Sequence, residues 1–244
     1  MNQEQRQEKI YLSVIIPAYN EEKRIPDTLV KIEAFLKKQH FNSEILVVDD
    51  GSTDKTVQVS QALDMKRLRV IKNPRNMGKG AATRNGIMNA VGELMLFSDA
   101  DLSTPIEEVC QLIQAIKDGD DVAIGSRALP ESDIVIHQPW YREMMGRVFN
   151  IVVQVLVLKG IKDTQCGFKL FKAEVARTVF NEQKLSGFAF DVELLMLTRR
   201  HGWKIAEVPV KWYNSPASRV SPFRDAMKMF TDLLKLRKLY GKRY

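Results

Sequence analysis

The sequence predicts an α/β fold, a mostly parallel sheet flanked by helices. Three observations carry that prediction. Short runs rich in Val, Ile and Leu recur at 12–16, 44–48, 68–71, 94–98 and 122–125. Longer segments with helical patterning fill 26–38, 53–65, 80–91 and 105–117 between them. Polar clusters with carboxylates, glycines and lysine stand directly behind several of the apolar runs. Strands that are nearly apolar throughout are buried on both faces, and crossover helices are what cover both faces of a parallel sheet.

Each element has its own local reason. The helix at 26–38 opens on Pro26, whose fixed φ suits a first helical turn. The helix at 53–65 follows the turn residues Asp50-Gly51-Ser52. The one at 105–117 again begins with proline. After Gly125 the alternation fails. Residues 130–139 read as a loop and 141–158 as a long, very apolar helix. A further helix is expected at 188–201, a strand at 204–210 and a basic amphipathic helix at 222–240. The break near residue 130 is not a linker, so the chain reads as one domain, 1–244.

Composition removes several classes. Of 244 residues, 45% are apolar and 27% charged, which excludes a disordered or low-complexity chain. The net charge is +7, but residues 224–244 hold seven Lys or Arg against two Asp, so the rest is close to neutral. Charge gathered in one tail, with no RNA-binding motif, argues against a nucleic-acid module. Cys110 and Cys166 are far apart and neither lies in a CxxC motif, while His40, His137 and His201 lack zinc-ligand spacing. Residues 2–9 contain no apolar signal-peptide core. The longest apolar stretch, 148–158, is about half the ~20 residues of a spanning helix. The expectation is a cytoplasmic protein, peripheral on the cytoplasmic membrane face.

In open α/β sheets ligands sit beyond the carboxyl ends of the strands. Four clusters fall there: Pro17-Ala18-Tyr19-Asn20-Glu21-Glu22, Asp49-Asp50-Gly51-Ser52, Asn76-Met77-Gly78-Lys79-Gly80 and Ser98-Asp99-Ala100-Asp101. One such carboxylate is as readily a helix cap as a ligand. Four clusters on one sheet edge are not explained by capping. No GxGxxG follows the first strand, and Gly78-Lys79-Gly80 is not a P-loop. What remains is carboxylate for a cation, aromatic for a base, and glycine with lysine for phosphates. Asp99-x-Asp101 suits Mg²⁺ or Mn²⁺, which retains waters and bridges substrate phosphates.

These four motifs, taken in order over residues 12–127, resemble the family 2 glycosyltransferases of GT-A fold. Gly125-Ser126-Arg127-Ala128, the stretch from Gly160 through Thr164-Gln165-Cys166-Gly167-Phe168 to Phe171, and Ala189-Phe190-Asp191-Val192-Glu193 resemble the dolichyl-phosphate β-glucosyltransferase branch. Related mannosyltransferases, which would take GDP-mannose, share the scheme. The resemblance implies a UDP-sugar donor held in the half 12–127, with 128–244 facing acceptor and membrane. Pro17, Ala18, Tyr19 and Glu21 would border uracil and ribose, with Asp50 bonding the uracil and Asp49 sharing that role or orienting the loop. Gly78 and Lys79 would approach nucleotide and diphosphate, and Asp99, Ala100 and Asp101 the ribose and metal. Family members often place glutamine two residues after the second aspartate, where this chain has Ser103.

The acceptor divides the subtypes. A sugar hydroxyl needs a carboxylate base. A lipid phosphate, with a second pKa near 6, is largely dianionic already and needs cations to hold it. The resemblance implies dolichyl or polyprenyl phosphate as the acceptor, with Arg127, Arg142, Arg147 and Lys169 as the cations that would hold it. Asp101, Arg127, Arg147 and Asp191 form the catalytic set. Asp191 or Glu193 either acts as a base or orients Lys169 or Arg127. The rival is transfer to a sugar hydroxyl in polysaccharide synthesis. The apolar helix at 141–158 is either core or, with the basic helix at 222–240, a membrane-surface element.

Overall fold

A computed structural model describes residues 9–215 and 222–241, with side chains omitted for 222–226. Residues 2–8 and the charges at 224, 225, 242 and 243, part of the expected basic tail, lie outside this description.

Four strand–helix steps and a fifth strand open the chain: β1 (Leu12–Ala18), α1 (Ile25–Leu36), β2 (Ser43–Asp49), α2 (Thr56–Gln61), β3 (Leu68–Lys72), α3 (Lys79–Asn89), β4 (Leu94–Ser98), a 3₁₀ turn (Ile106–Glu108), α4 (Val109–Lys117) and β5 (Val122–Ser126). Then come β6 (Asp133–Ile136), α5 (Trp140–Leu156), β7 (Phe168–Lys172), α6 (Ala173–Glu182), α7 (Phe190–Arg200), β8 (Ile205–Pro209), β9 (Lys211–Tyr213) and α8 (Pro222–Tyr240). The main sheet has seven strands in the order β3-β2-β1-β4-β7-β5-β8, and β6 pairs with β9 in a small second ribbon. All pairings in the main sheet are parallel except those of β7, which runs against both β4 and β5. Strands from both halves of the chain therefore share one sheet.

Alternate residues of β1 feed two cores. Ile15 faces a cluster with Val48, Phe97, Phe171 and Phe190, while Val14 and Ile16 face one with Leu29, Val47, Leu96 and Leu112. β1, β2, β4 and β5 are buried at every position, as strands covered on both faces must be. β3 is one of the two edge strands and exposes Arg69 and Lys72, charges that discourage pairing with another chain. Phe97, Phe171, Phe180 and Phe190 meet with ring centroids 5.7–6.4 Å apart and form a rigid aromatic floor beneath the carboxyl end of β4.

Several expectations need correction. Residues 130–139 contain β6, held by parallel pairing to β9 although its residues are mostly exposed. The strand expected at 204–210 is shorter and is followed by a second, β9, in the other ribbon. The helix expected at 53–65 spans only Thr56–Gln61. β7 and α6 carry no clear sequence pattern and complete the middle of the fold. The apolar run at 148–158 divides: Val153, Val157 and Leu158 are core, with Phe149, Val152 and Leu156 packed against it, while Val148, Ile151 and Val155 face outward, so the core reading holds for one face of α5.

Candidate active site

Parallel register brings the carboxyl ends of β1, β2 and β4 level, with Ala18 opposite Asp49 and Ile15 opposite Phe97. The first two loops are laced together. The Asn20 side-chain oxygen accepts from Thr53 N at 2.8 Å, Ser52 Oγ accepts from Asn20 N at 2.8 Å, and Thr56 Oγ1 accepts from Glu21 N at 2.7 Å. Asp49 accepts from its own turn, Ser52 N, at 3.3 Å, so its contact here orients the loop. Asp50 is only 3% exposed and accepts from Asn73 Nδ2, Met77 N and Gly78 N at 2.8–3.0 Å. It pins the third loop onto the second. Pro17, Ala18 and Tyr19 form the floor and lip of this cleft, Ala18 buried and Tyr19 half-buried.

Gly78 precedes α3 with φ +97°, a conformation open to glycine. A Cβ there would also stand 2.5 Å from Ser186 O, so the loop before α7 abuts it directly. Lys79 then reaches across the cleft, its Nζ 2.6 Å from Asp99 Oδ1. Burial alone would lower the Lys79 pKa, but Asp99, Asp191 and Asp101 outweigh it and hold the ammonium charged well above its usual range. Asp99 is backed by Gly167, where a Cβ would lie 2.1 Å from Oδ2, and Asp99 N donates to Gly167 O at 3.1 Å. Asp101 Oδ1 accepts from Ser103 N at 3.1 Å, while Oδ2 lies 3.9 Å from Arg24. Ala100 between them is buried, and its carbonyl accepts from Thr28 Oγ1 at 2.7 Å.

Two further ion pairs flank this centre. Arg127 makes a two-pronged pair with Asp163 at 2.6 and 2.9 Å, and its guanidinium also lies over the Trp212 ring. Burial would raise the Asp163 pKa, but Arg127 reverses this and holds it at about 2. Lys169 is fully buried, with Nζ 2.5 Å from Asp191 Oδ1, 2.6 Å from Cys166 O and 5.2 Å from the Phe97 ring centroid. It was expected to hold acceptor phosphate directly. Enclosed in this way it orients Asp191 instead, because all its surroundings are already protein. Glu193 is also fully buried and accepts from Lys184 N, Leu185 N and Tyr240 Oη at 2.7–2.9 Å. With both oxygens committed, it is not placed to act as a base. Arg142 and Arg147 lie on α5, Arg147 exposed, and neither forms an ion pair among the described residues.

Sequence reasoning missed Arg24 and Asp163. Arg24 makes a two-pronged pair with Glu21 at 2.6 and 2.7 Å and bonds Ser215 Oγ at 3.0 Å, joining the first loop to the end of the β9 segment. Its one available signal was the i,i+3 spacing from Glu21. Asp163 stood in a motif already singled out, but its partner is 36 residues away.

Among the described residues no three His, Cys, Asp or Glu side chains converge as a complete metal cage. The donor set is Asp99 and Asp101 alone, hard oxygens in a partly open cleft beside a lysine. Such a set fits a Mg²⁺ or Mn²⁺ ion that keeps waters and takes its other ligands from a diphosphate.

A model of glycosyl transferase family 2 matches residues 13–180. The chain belongs to this family and is a glycosyltransferase. Among curated relatives, a dolichyl-phosphate beta-glucosyltransferase of Dictyostelium discoideum is 38% identical over 96% of this chain and 76% of its own length. The Homo sapiens protein of that name is 38% identical over 94% of this chain and 75% of its own, and that of Saccharomyces cerevisiae 36% over 98% and 78%. Among solved structures, glucosyl-3-phosphoglycerate synthase of Mycobacterium tuberculosis, in complex with Mn²⁺, UDP and glucosyl-3-phosphoglycerate, shares the fold. Its TM-score is 0.69 at 20% identity, covering 93% of this chain and 80% of that one. Mannosyl-3-phosphoglycerate synthase of Rubrobacter xylanophilus superposes with a TM-score of 0.70 at 18% identity, over 96% and 76%. The architecture is GT-A, as the sequence predicts.

Proposed function

We propose that the protein transfers glucose from UDP-glucose to dolichyl or polyprenyl phosphate with inversion at C1. The observation that carries the acceptor is the engagement of both candidate bases. Asp191 is ion-paired through Oδ1 to the buried Lys169, and both oxygens of Glu193 are spent on two amides and a phenol. Carboxylates held in this way suit a nucleophile that arrives ionised, and a phosphate monoester does. The names of the relatives agree with this reading.

In the reaction an oxygen of the lipid phosphate forms a bond to C1 as the bond from C1 to the β-phosphate oxygen breaks. The electron pair leaves with UDP, and no proton has to move. Tyr19 and the Asp50-pinned loop border the base, and Lys79 exchanges Asp99 for the diphosphate. Arg127, oriented by Asp163, holds the incoming phosphate together with Arg142 and Arg147. When bound beside Asp99 and Asp101, Mg²⁺ or Mn²⁺ supplies positive charge to the departing diphosphate.

A membrane surface completes the reading. No helix among the described residues is long and apolar enough to cross a bilayer. α5 nevertheless exposes Trp140 (73%), Met144, Val148, Ile151 and Val155 in one stripe, and α8 exposes Met227, Phe230 and Leu234. A groove of about 370 Å³ lies between them, lined by Trp140, Met144, Val148 and Phe230. Apolar faces flanked by Lys228, Lys235 and Arg147 suit the interface of an anionic bilayer, on which the protein would sit from the cytoplasm.

The test is a donor panel with a short-chain polyprenyl phosphate, product read by mass, beside thermal shifts with UDP or GDP in Mn²⁺. Lipid-phosphate glucose and a larger shift with UDP are expected. Preference for a free sugar hydroxyl overturns the acceptor, and a larger shift with GDP overturns the donor.

A further inference from the structure

Glu193 belongs to the first turn of α7, faces no solvent, and still carries a carboxylate. Burying such a group is costly unless its oxygens are hydrogen-bonded. They are. Oε1 accepts from Lys184 N at 2.9 Å and Tyr240 Oη at 2.8 Å, and Oε2 from Leu185 N at 2.7 Å. The loop so gripped, residues 183–187, meets α3 through Ser186, the residue after Leu185. Ser186 O accepts from Gly80 N at 2.9 Å, one residue past Lys79, and stands where a Cβ on Gly78 would go. Hydrogen bonds and one steric stop thus run without a gap from the last turn of α8 to the residues flanking Lys79.

Tyr240 is fixed at its end of this chain as well. Arg200 lies 5.5 Å from its ring centroid, and burial together with Glu193 raises the phenol pKa well above its usual value, so it remains a donor. The same α8 bears part of the exposed apolar face, packs against α5 and bonds Leu156 O through Arg237.

We propose that Glu193 is a positioning residue for the donor diphosphate. By holding the 183–187 loop against Gly78 and Gly80 it sets where Lys79 is presented, and Tyr240 ties that setting to the seating of α8. The inference rests on the reading that Lys79 meets the diphosphate of the donor.

The experiment measures UDP affinity in Mn²⁺ by calorimetry, the KM values for UDP-glucose and acceptor, and the melting temperature. The full-length wild type is compared with Tyr240→Phe, Glu193→Gln and Lys79→Ala. Tyr240→Phe removes one hydroxyl and no carbon. It should weaken UDP binding roughly fivefold, within the range of couplings carried by contiguous networks, and raise the KM for UDP-glucose alone. Glu193→Gln, which sets an amide against the Lys184 or Leu185 N–H, should weaken UDP more. Should Glu193→Gln fail to fold, Tyr240→Phe decides by itself. Unchanged UDP affinity in Tyr240→Phe overturns the proposal, as does an equal rise in both KM values, the mark of general loosening. If Lys79→Ala also leaves UDP affinity unchanged, the donor-site reading itself has failed. Loss of affinity in Lys79→Ala with none in Tyr240→Phe overturns the positioning proposal and leaves the donor-site reading standing.

Discussion

Lys79 Nζ lies 2.6 Å from Asp99 Oδ1, so a cation of the chain pairs with one of the two carboxylates proposed to hold a divalent ion. The pair links two loops that meet only through the fold of the sheet. Its two members have opposite preferences once a diphosphate arrives. On the proposed reading, lysine would be drawn to the phosphates, and Asp99 would be left to hold the cation. Lys79→Ala should therefore weaken UDP binding while tightening Mn²⁺ binding in the absence of UDP, each by roughly tenfold for a charge removed at contact distance. Electron paramagnetic titration of free Mn²⁺ reads the second effect independently of turnover. A loss of both affinities together would contradict the exchange.

Asp101→Asn tests the other carboxylate. The amide oxygen can still accept from Ser103 N, so the loop and the melting temperature should persist. Removing the charge should reduce turnover by about two orders of magnitude, the scale of losing an electrostatic group at developing charge. Wild-type turnover should also stop in excess EDTA and return with Mg²⁺ or Mn²⁺.

Gly167→Ala should damage the site more than the fold. Its Cβ would lie 2.1–2.6 Å from the carboxylate atoms of Asp99, and that side chain has to move. The expected result is a fall in kcat/KM of roughly a hundredfold, as for misplacement of a reacting group by about an ångström. The change in melting temperature should be a few degrees, measured by calorimetry.

Acid should loosen the acceptor side first. Asp163 has a folded pKa of about 2 against an ordinary 3.8, because Arg127 overcomes its burial. A depressed carboxylate stabilises the folded state above its unfolded pKa and loses that contribution as pH falls through the folded one. Stability should therefore decline between about pH 4 and pH 2, followed by denaturant melts at each pH. Asp163→Asn should be less stable at neutral pH and show a shallower decline across that window.

The first five strands were legible because each is a local event. A run such as Leu94-Met95-Leu96-Phe97 needs no distant partner to be recognised as strand, and its carboxyl end leaves Asp99 and Asp101 at the sheet edge. The strand-end clusters could likewise be read from position alone. β7 could not. Phe168-Lys169-Leu170-Phe171-Lys172 sets lysines among apolar residues and suggests an exposed strand, yet the sheet buries Lys169 completely. That burial is possible because Asp191, on α7, supplies the counter-charge.

The order of elements as far as β5, the cleft edge and the candidate ligands Lys79, Asp99 and Asp101 follow from the sequence alone, since period, turn chemistry and strand ends are local properties. Which charges remain free to act was decided by tertiary structure. Lys169 and Glu193 look in sequence like members of the site, and the fold spends both inside the protein, one on Asp191 and one on a loop and Tyr240. Arg24 drew no attention in sequence and stands near Asp101. The physical reason is that a charge takes its role from partners within a few ångströms, and those partners lie up to 191 residues away along the chain.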